Sequence, residues 1–205
     1  MSYSVDPISD NCYEGTTCLI NKFGIQNEDT LAQLESKITV AKSAELELET
    51  LKDGFNEDDY RAIHRYLFSD LYDWAGEYRT VDMSKKGTSF ADNKKIPDLM
   101  NRCFARLKKV NYFLDLDFDE FVDEIVDLYC TLNHIHPFRE GNGRTERVFI
   151  TQLVRYNDCD INFSDIDTDL LMVATMHSAK GVTDQLKSIF YNAIEVPEQG
   201  MIFTN

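Results

Sequence analysis

The sequence predicts an all-α protein, a helical bundle with one short β-hairpin. Its 205 residues include only 9 glycines and 4 prolines, too few for the many tight turns of a β-rich fold. Apolar residues recur at intervals of three and four, and the sequence has no long alternation of Val, Ile and Thr. We therefore expect a single domain over residues 1–205, with its core over about residues 12–195 and a loosely held tail from residue 196.

Seven helices are expected. The first runs from about Asp29 to Leu51, and the second begins after the N-cap candidate Asn56 and ends near Gly76. The apolar face of the first helix is predicted to consist of Leu31, Leu34, Ile38 and Ala41. The other helices are expected over about Lys95–Val110, Asp117–Asn133, Arg144–Asn157, Ser164–His177 and Thr183–Ile194.

A short hairpin interrupts this helical pattern. Tyr78, Thr80 and Asp82 alternate in the manner of a strand, residues 85–87 resemble a turn, and a second arm passes through Phe90. Its two lysines can also serve as protection of an exposed strand edge, so an ordinary hairpin without a binding role stays an alternative.

Charge and composition exclude several classes of protein. Lys and Arg number 21 against 36 Asp and Glu, and the resulting net charge of -15 repels the phosphate backbone of nucleic acids. No segment reaches the roughly 18 to 20 apolar residues of a membrane span, and the N-terminus lacks the pattern of an export signal. The 5 cysteines are scattered without a CxxC pair. We expect a cytoplasmic protein that binds neither nucleic acid nor membrane.

The segment NHIHPFREGNGRTERVF, residues 133–149, has the chemistry of a phosphate site. Gly141, Asn142 and Gly143 tolerate unusual backbone conformations and lead directly into a helix, whose first N–H groups and positive dipole end attract anions. Arg144 and Arg147 lie three positions apart on that helix, where both can reach one polyphosphate.

Two residues beside the glycines indicate a reaction. Glu140 would repel phosphate oxygens unless Mg²⁺ bridges them, which points to a nucleotide with Mg²⁺. The imidazole of His136 can take the proton of a hydroxyl that attacks phosphorus. Each residue alone has an ordinary structural explanation, but their order and spacing together indicate nucleotidyl or phosphoryl transfer.

The segment HPFREGNGRTER resembles the signature of Fic domains, H-P-F-x-[D/E]-G-N-G-R-x-x-R, at every fixed position. The segments YEGTTCLINKFGI, IHRYLFSDLYDWAGEYRTVD and SKKGTSFA are similar to the bacterial cell-filamentation branch of this family, and the resemblance covers about residues 12–195. It implies a helical fold and the transfer of AMP from ATP to a Ser, Thr or Tyr hydroxyl of a target protein, with release of pyrophosphate.

The resemblance also implies roles for individual residues. His136 would be the general base, Glu140 the Mg²⁺ ligand, and Phe138 the anchor of the loop in the core. The anion hole for the α and β phosphates would be formed by Gly141, Asn142 and Gly143. The β and γ phosphates would be held by Arg144 and Arg147.

The hairpin would be the flap of the family, which holds an extended target segment by strand addition. Its residues are Met83, Ser84, Lys85, Lys86, Gly87, Thr88, Ser89 and Phe90.

We expect the other three histidines to be structural residues and not part of the site. His134 precedes His136 by two positions, and their side chains diverge at a helix end, so a metal ligand is disfavoured there. His64 and His177 are expected in the core because no partner motif lies near them.

Many relatives carry an inhibitory helix with the pattern [S/T]-x-x-x-E-[G/N]. Glu14 and Glu47 each miss one position of it, and Glu195 has Tyr191 where Ser or Thr would stand. We therefore expect an inhibitory glutamate from a small separate antitoxin that packs against the N-terminal helical region. Inhibition in cis from the region of Glu195 stays the alternative.

Three further functions stay open at this point. Base recognition lies outside the signature, so another nucleotide or a phosphocholine group could be transferred. Removal of AMP from a target is a second alternative, and a catalytically weak regulatory or binding module with the same fold is the third.

Overall fold

The structure, a computed structural model, describes residues 4–5, 11–48, 55–85 and 88–197. The expected all-α architecture is confirmed, and each of the seven predicted helices has its counterpart. They are α1 (Glu28–Glu47), α2 (Glu57–Phe68), α3 (Ile96–Lys109), α4 (Phe118–Ile135), α5 (Asn142–Tyr156), α6 (Thr168–Ser178) and α7 (Asp184–Ala193). Within the described ranges no helix has the length and apolar character needed to cross a bilayer.

Helix α2 begins as predicted but ends eight residues early. The side chain of Asn56 accepts hydrogen bonds from the backbone N–H groups of Asp58 and Asp59, which fixes the first turn. The helix ends at Phe68 and is followed by a turn, in which the N–H groups of Leu71 and Tyr72 both donate to the Phe68 carbonyl. The connection that follows leads to the hairpin.

A hairpin is present in the predicted region and belongs to a three-stranded antiparallel sheet, but its first arm was misplaced. Tyr78, Thr80 and Asp82 lie before the strand, and Lys85, which was predicted in the turn, lies in the strand. Strand β2 (Met83–Lys85) pairs with β3 (Thr88–Ser89) on one side and with β1 (Ser4–Val5) on the other. The turn residues Lys86 and Gly87 lie outside the described residues. A second, two-stranded sheet joins β4 (Asp160–Ile161) to β5 (Ile194–Glu195). Strands β1, β4 and β5 were not predicted because two residues are too short to show an alternation.

The core forms around α4 and α5, and the apolar side chains of α5 are buried on several of its faces. Helix α1 packs against α2 and α5. The buried positions of α1 are Leu31, Glu35 and Thr39, whereas Ala41 on the predicted apolar face is exposed. Two polar side chains on the buried side of a helix require partners, and those partners belong to the site. Of the expected loose tail, residues 198–205 lie outside the described residues.

Candidate active site

His136 lies at the end of α4, where it adopts a left-handed conformation with φ 48° and ψ 61°. It is 5% exposed, and its ring stacks on that of Phe90 in the hairpin, with the ring centroids 3.7 Å apart. Burial, together with the positive charges of Lys85 and Arg79, lowers the pKa of its imidazole from 6.5 to about 3. The imidazole is therefore neutral near neutral pH and keeps a lone pair that can accept a proton.

The loop from α4 to α5 is closed by its own side chains. The Oδ1 atom of Asn142 accepts the backbone N–H of Phe138 at 2.8 Å, and its Nδ2 donates to the Phe138 carbonyl at 2.7 Å. Phe138 is fully buried, as expected of an anchor, and stacks on Tyr60 and His64. The side chain of Asn142 is thus committed to the loop. In the predicted anion hole, Asn142 can therefore contribute only its backbone N–H. This group lies in the first turn of the helix and has no intrahelical acceptor.

Gly141 and Gly143 differ in what they require. Gly141 has φ +79°, and a Cβ atom built there would lie 2.2 Å from Cζ of Phe68. Gly143 lies within α5, and a Cβ there would meet only Nη1 of Arg147 at 3.5 Å. The unusual backbone conformation expected of this segment is therefore needed at Gly141 alone.

His64 lies in the core, as expected, and also supports the loop. The N–H of Gly76 donates to its Nδ1 at 2.8 Å, so the ring proton resides on Nε2, which lies 3.0 Å from the Glu140 carbonyl oxygen and donates to it. Burial lowers the pKa of His64 to about 3, which keeps this arrangement neutral.

The expectation for His177 was wrong. This side chain is exposed, in the last turn of α6. His134 is also exposed, and the described part of the chain contains no group of three or more His, Cys, Asp or Glu side chains that could hold a metal ion.

Arg144 lies between two carboxylates. Its Nη2 atom is 2.5 Å from Oε1 of Glu35 on α1 and 3.3 Å from Oε1 of Glu140, and its Nη1 donates to the hydroxyl of Thr39 at 3.1 Å. The other oxygen of Glu35 accepts the hydroxyl of Tyr72 at 2.5 Å. These contacts explain the polar residues on the buried side of α1. Sequence reasoning missed them, although a glutamate four positions after Leu31 on an apolar face was an available indication.

Glu140 is half-buried between the start of α5 and Arg144. Its Oε1 atom accepts the backbone N–H of Gly141 at 2.8 Å. Burial raises the pKa of its carboxyl, and the negative charge of Glu35 adds to this effect, while Arg144 opposes it. A cation bound at this carboxylate would stabilise its ionised form.

A cavity of 210 Å³ opens beside His136. Its polar wall combines the hairpin and the signature segment through Lys85, His136, Gly143 and Arg147. The apolar wall comes mainly from α6 and includes Leu171, Met172, Met176 and Ala179. The structure therefore brings the predicted base, one glycine and the second arginine to one cavity. Glu140 and Arg144 do not line it, and Arg144 instead bonds to α1.

Glu146 also lines this cavity and was not singled out in the sequence. It is 3% exposed, and its Oε1 atom has no hydrogen-bond partner among the described residues. Burial raises the pKa of its carboxyl well above the ordinary value. Its neighbours in the sequence, Thr145 and Arg147, are polar, so no local pattern indicated this burial.

Glu195 lies away from this cavity. It is part of β5, where it pairs with Asp160, and it lines a separate groove between the second sheet, α6 and α7. Glu14 is exposed near the start of the described chain. Neither glutamate lines the cavity that holds Arg147.

Comparison with known proteins gives one consistent family. The profile of the Fic/DOC family matches residues 54–154. The chain is 32% identical over 182 residues to the probable protein adenylyltransferase Fic of Salmonella typhimurium, an alignment that covers 89% of this chain and 90% of that protein. It is 32% identical over 186 residues to the protein adenylyltransferase VbhT of Bartonella schoenbuchensis, which covers 91% of this chain and 38% of VbhT.

Two solved structures with bound nucleotides have a similar fold. The BepC protein of Bartonella tribocorum with AMPPNP superposes with a TM-score of 0.86 at 27% identity, covering 91% of this chain and 97% of that one. The N-terminal Fic domain of a cell filamentation protein from Bartonella quintana with ADP gives a TM-score of 0.87 at 26% identity, covering 92% and 96%.

Proposed function

The chain belongs to the Fic/DOC family, and on that premise we propose that it is a protein adenylyltransferase that transfers AMP from Mg-ATP to a Ser, Thr or Tyr hydroxyl of a target protein. The observation that carries the proposal is the placement of a buried, neutral His136 at the same cavity as Arg147 and the first turn of α5. That cavity combines a base with groups that favour phosphate.

The first turn of α5 supplies the phosphate site. The backbone N–H groups of Asn142 and Gly143 have no intrahelical acceptor, and the positive end of the helix dipole lies there. Arg147 adds a guanidinium from the cavity wall. Arg144 contributes charge from the α1 side, where Glu35 orients it.

Glu140 fits the role of a Mg²⁺ ligand. Its carboxylate accepts the backbone N–H of Gly141, the residue directly before α5. Mg²⁺ in proteins is usually held by one or two carboxylates together with substrate phosphates and water. When bound, Mg²⁺ would neutralise charge on the phosphates of ATP.

In the transfer step, Nδ1 or Nε2 of His136 takes the proton of the target hydroxyl. The hydroxyl oxygen forms a bond to the α-phosphorus of ATP, and the bond from that phosphorus to the oxygen bridging the β-phosphate breaks. The electron pair leaves with pyrophosphate. The low pKa of His136 keeps the imidazole in the accepting form throughout the physiological pH range.

The hairpin supports docking of the target as an added strand. The N–H of Phe90 donates to the carbonyl of Met83 at 3.1 Å, so Ser89, one residue earlier, directs its backbone groups away from β2. No described strand pairs with this edge of β3, whereas the outer edge of β2 is already paired with β1. Among the described residues, no strand has to be displaced for a target segment to pair with the β3 edge.

Labelled ATP tests the proposed function. The chain is incubated with a cell lysate and either α-labelled or γ-labelled ATP, with His136→Ala as the inactive variant. His134→Ala is the matched control, since it removes an exposed histidine two residues away. We expect α-label on protein with the native chain and with His134→Ala, and none with His136→Ala. Label from the γ position alone would show phosphoryl transfer instead, and competition by GTP, CTP and UTP measures base selectivity.

Inhibition in trans, as in a toxin–antitoxin pair, accords with the position of Glu195 outside the cavity. Exposed apolar side chains in the N-terminal region offer a contact surface for such an inhibitor, among them Ile20, Phe23, Val40 and Leu48. Glu195→Gly is therefore expected to leave the rate of AMP transfer unchanged. A large increase in rate would place the inhibitor in cis.

A further inference from the structure

Arg79, in the connection between α2 and the hairpin, has a fully buried side chain. Its guanidinium donates to four backbone carbonyls. The acceptors are His136 at 2.8 Å from Nε, Val81 at 2.6 Å from Nη1, and Ala91 at 2.5 Å and Ile135 at 3.2 Å from Nη2. Its own backbone N–H donates to the carbonyl of Pro137 at 2.8 Å.

These acceptors belong to two structures that must cooperate in the transfer. Ile135 and His136 end α4, where carbonyls lack intrahelical donors and the helix dipole favours a cation. Val81 precedes β2 and Ala91 follows β3, so both ends of the hairpin are bound to the same guanidinium. One side chain therefore joins the base of the hairpin to the residue that carries the imidazole.

Two further contacts fix the base of the hairpin, the first to α4 and the second between the two ends of the hairpin. The N–H of Ala91 donates to the carbonyl of His134 at 3.0 Å, and the carboxylate of Asp82 accepts the N–H of Asn93 at 2.8 Å. With the base fixed, Phe90 reaches the ring of His136. The left-handed backbone of His136 is costly for a non-glycine residue and persists only where its surroundings hold it.

We propose that Arg79 is a positioning residue that sets the distance and orientation of the hairpin relative to His136, and so aligns a hydroxyl docked on the hairpin with the imidazole. This inference rests on the proposed function. A planar guanidinium has five donors on three nitrogens and serves all four carbonyls, whereas the ammonium of lysine has three donors on a single nitrogen and cannot serve four.

Arg79→Lys tests this role, with Arg61→Lys as the matched control. Arg61 also joins a helix to a loop, donating to the Gly76 carbonyl and to Glu77, both at 2.9 Å, and none of its recorded hydrogen bonds goes to the hairpin or to the α4–α5 loop. Three quantities are measured: the maximal rate of α-label transfer to lysate protein, the ATP concentration at half-maximal rate, and amide hydrogen exchange over residues 82–90.

For Arg79→Lys we expect the maximal rate to fall about tenfold or more, a loss of aligned geometry, while half-saturating ATP changes by less than about twofold. Exchange over residues 82–90 is expected to be faster. Arg61→Lys should leave the rate and this exchange unchanged. Equal effects of the two variants on the rate and on this exchange would overturn the inference, as would an Arg79→Lys rate close to the native one.

Should Arg79→Lys fail to melt cooperatively, Arg79→Met replaces it, since an apolar side chain of similar length removes the cost of burying a charge. The same kinetic result is expected. If the native chain transfers no label, the proposed function fails. The role of Arg79 in holding the hairpin is then tested by hydrogen exchange alone. Unchanged exchange over residues 82–90 would then overturn the inference, and faster exchange would support it.

Discussion

Glu35 of α1 and Arg144 of α5 form an ion pair with 2.5 Å between Oε1 and Nη2, although 109 positions separate them in the sequence. The pair directs the first arginine of the signature toward α1, while the second, Arg147, lines the cavity beside His136. The two arginines, three positions apart in the sequence, therefore extend to different sides of the first turns of α5.

The Glu35–Arg144 pair predicts a stability effect. Glu35→Gln should lower the free energy of unfolding by about 2 kcal/mol, because a largely buried guanidinium loses one of its two anionic partners. Urea denaturation measures the change. Glu45→Gln is the control, since Glu45 also accepts a tyrosine hydroxyl, from Tyr66, but on the exposed side of α1. Its cost should be below about 0.5 kcal/mol, and equal costs would contradict the prediction.

The two glycines of the signature predict opposite outcomes. Gly141→Ala should cost about 3 kcal/mol or more, because φ is +79° and the new Cβ would overlap the Phe68 ring. Gly143→Ala should change the free energy of unfolding by less than about 1 kcal/mol, since the space is open and alanine favours a helix. Thermal and urea unfolding compare the two. Similar losses in both would contradict the specific need for glycine at position 141.

The buried His136 predicts an unusual pH profile. Its pKa of about 3 lies below 6.5, so the proton-accepting form persists as pH falls and is lost only as pH falls through about 3. The kcat/KM for AMP transfer should therefore show no acidic limb near pH 6.5 that is due to this residue. Rates are measured from about pH 8 to pH 5, with circular dichroism at each pH as the control for folding. A limb centred near 6.5 in a folded chain would contradict the expected burial.

The open edge of β3 predicts a selective defect. Ser89→Pro removes the backbone N–H that would bond to an added strand. We expect transfer to protein targets to fall at least about tenfold while ATP affinity, measured by calorimetry, stays within about twofold. Ser89→Ala keeps the N–H and should transfer normally. If proline at this position leaves target labelling intact, the target docks elsewhere.

Local patterns predicted much of the fold. The N-cap Asn56, the apolar spacing of α4, and the glycine directly before α5 all act over a few residues, so the sequence shows them directly. The end of α2 was misjudged because the turn after Phe68 is closed by backbone hydrogen bonds that leave no periodic mark. The pairing of β4 with β5 was not predicted either, because the two strands are 34 positions apart (160 to 194) and each is only two residues long.

The sequence by itself determined the helical class, the hairpin and the order of the chemical groups from His136 to Arg147, because each depends on residues that are neighbours in the chain. Only the tertiary structure decided that Arg144 pairs with Glu35, that His64 supports the Glu140 carbonyl, and that Arg79 joins the hairpin to His136. These contacts form when packing brings distant segments together and burial obliges their polar groups to find partners.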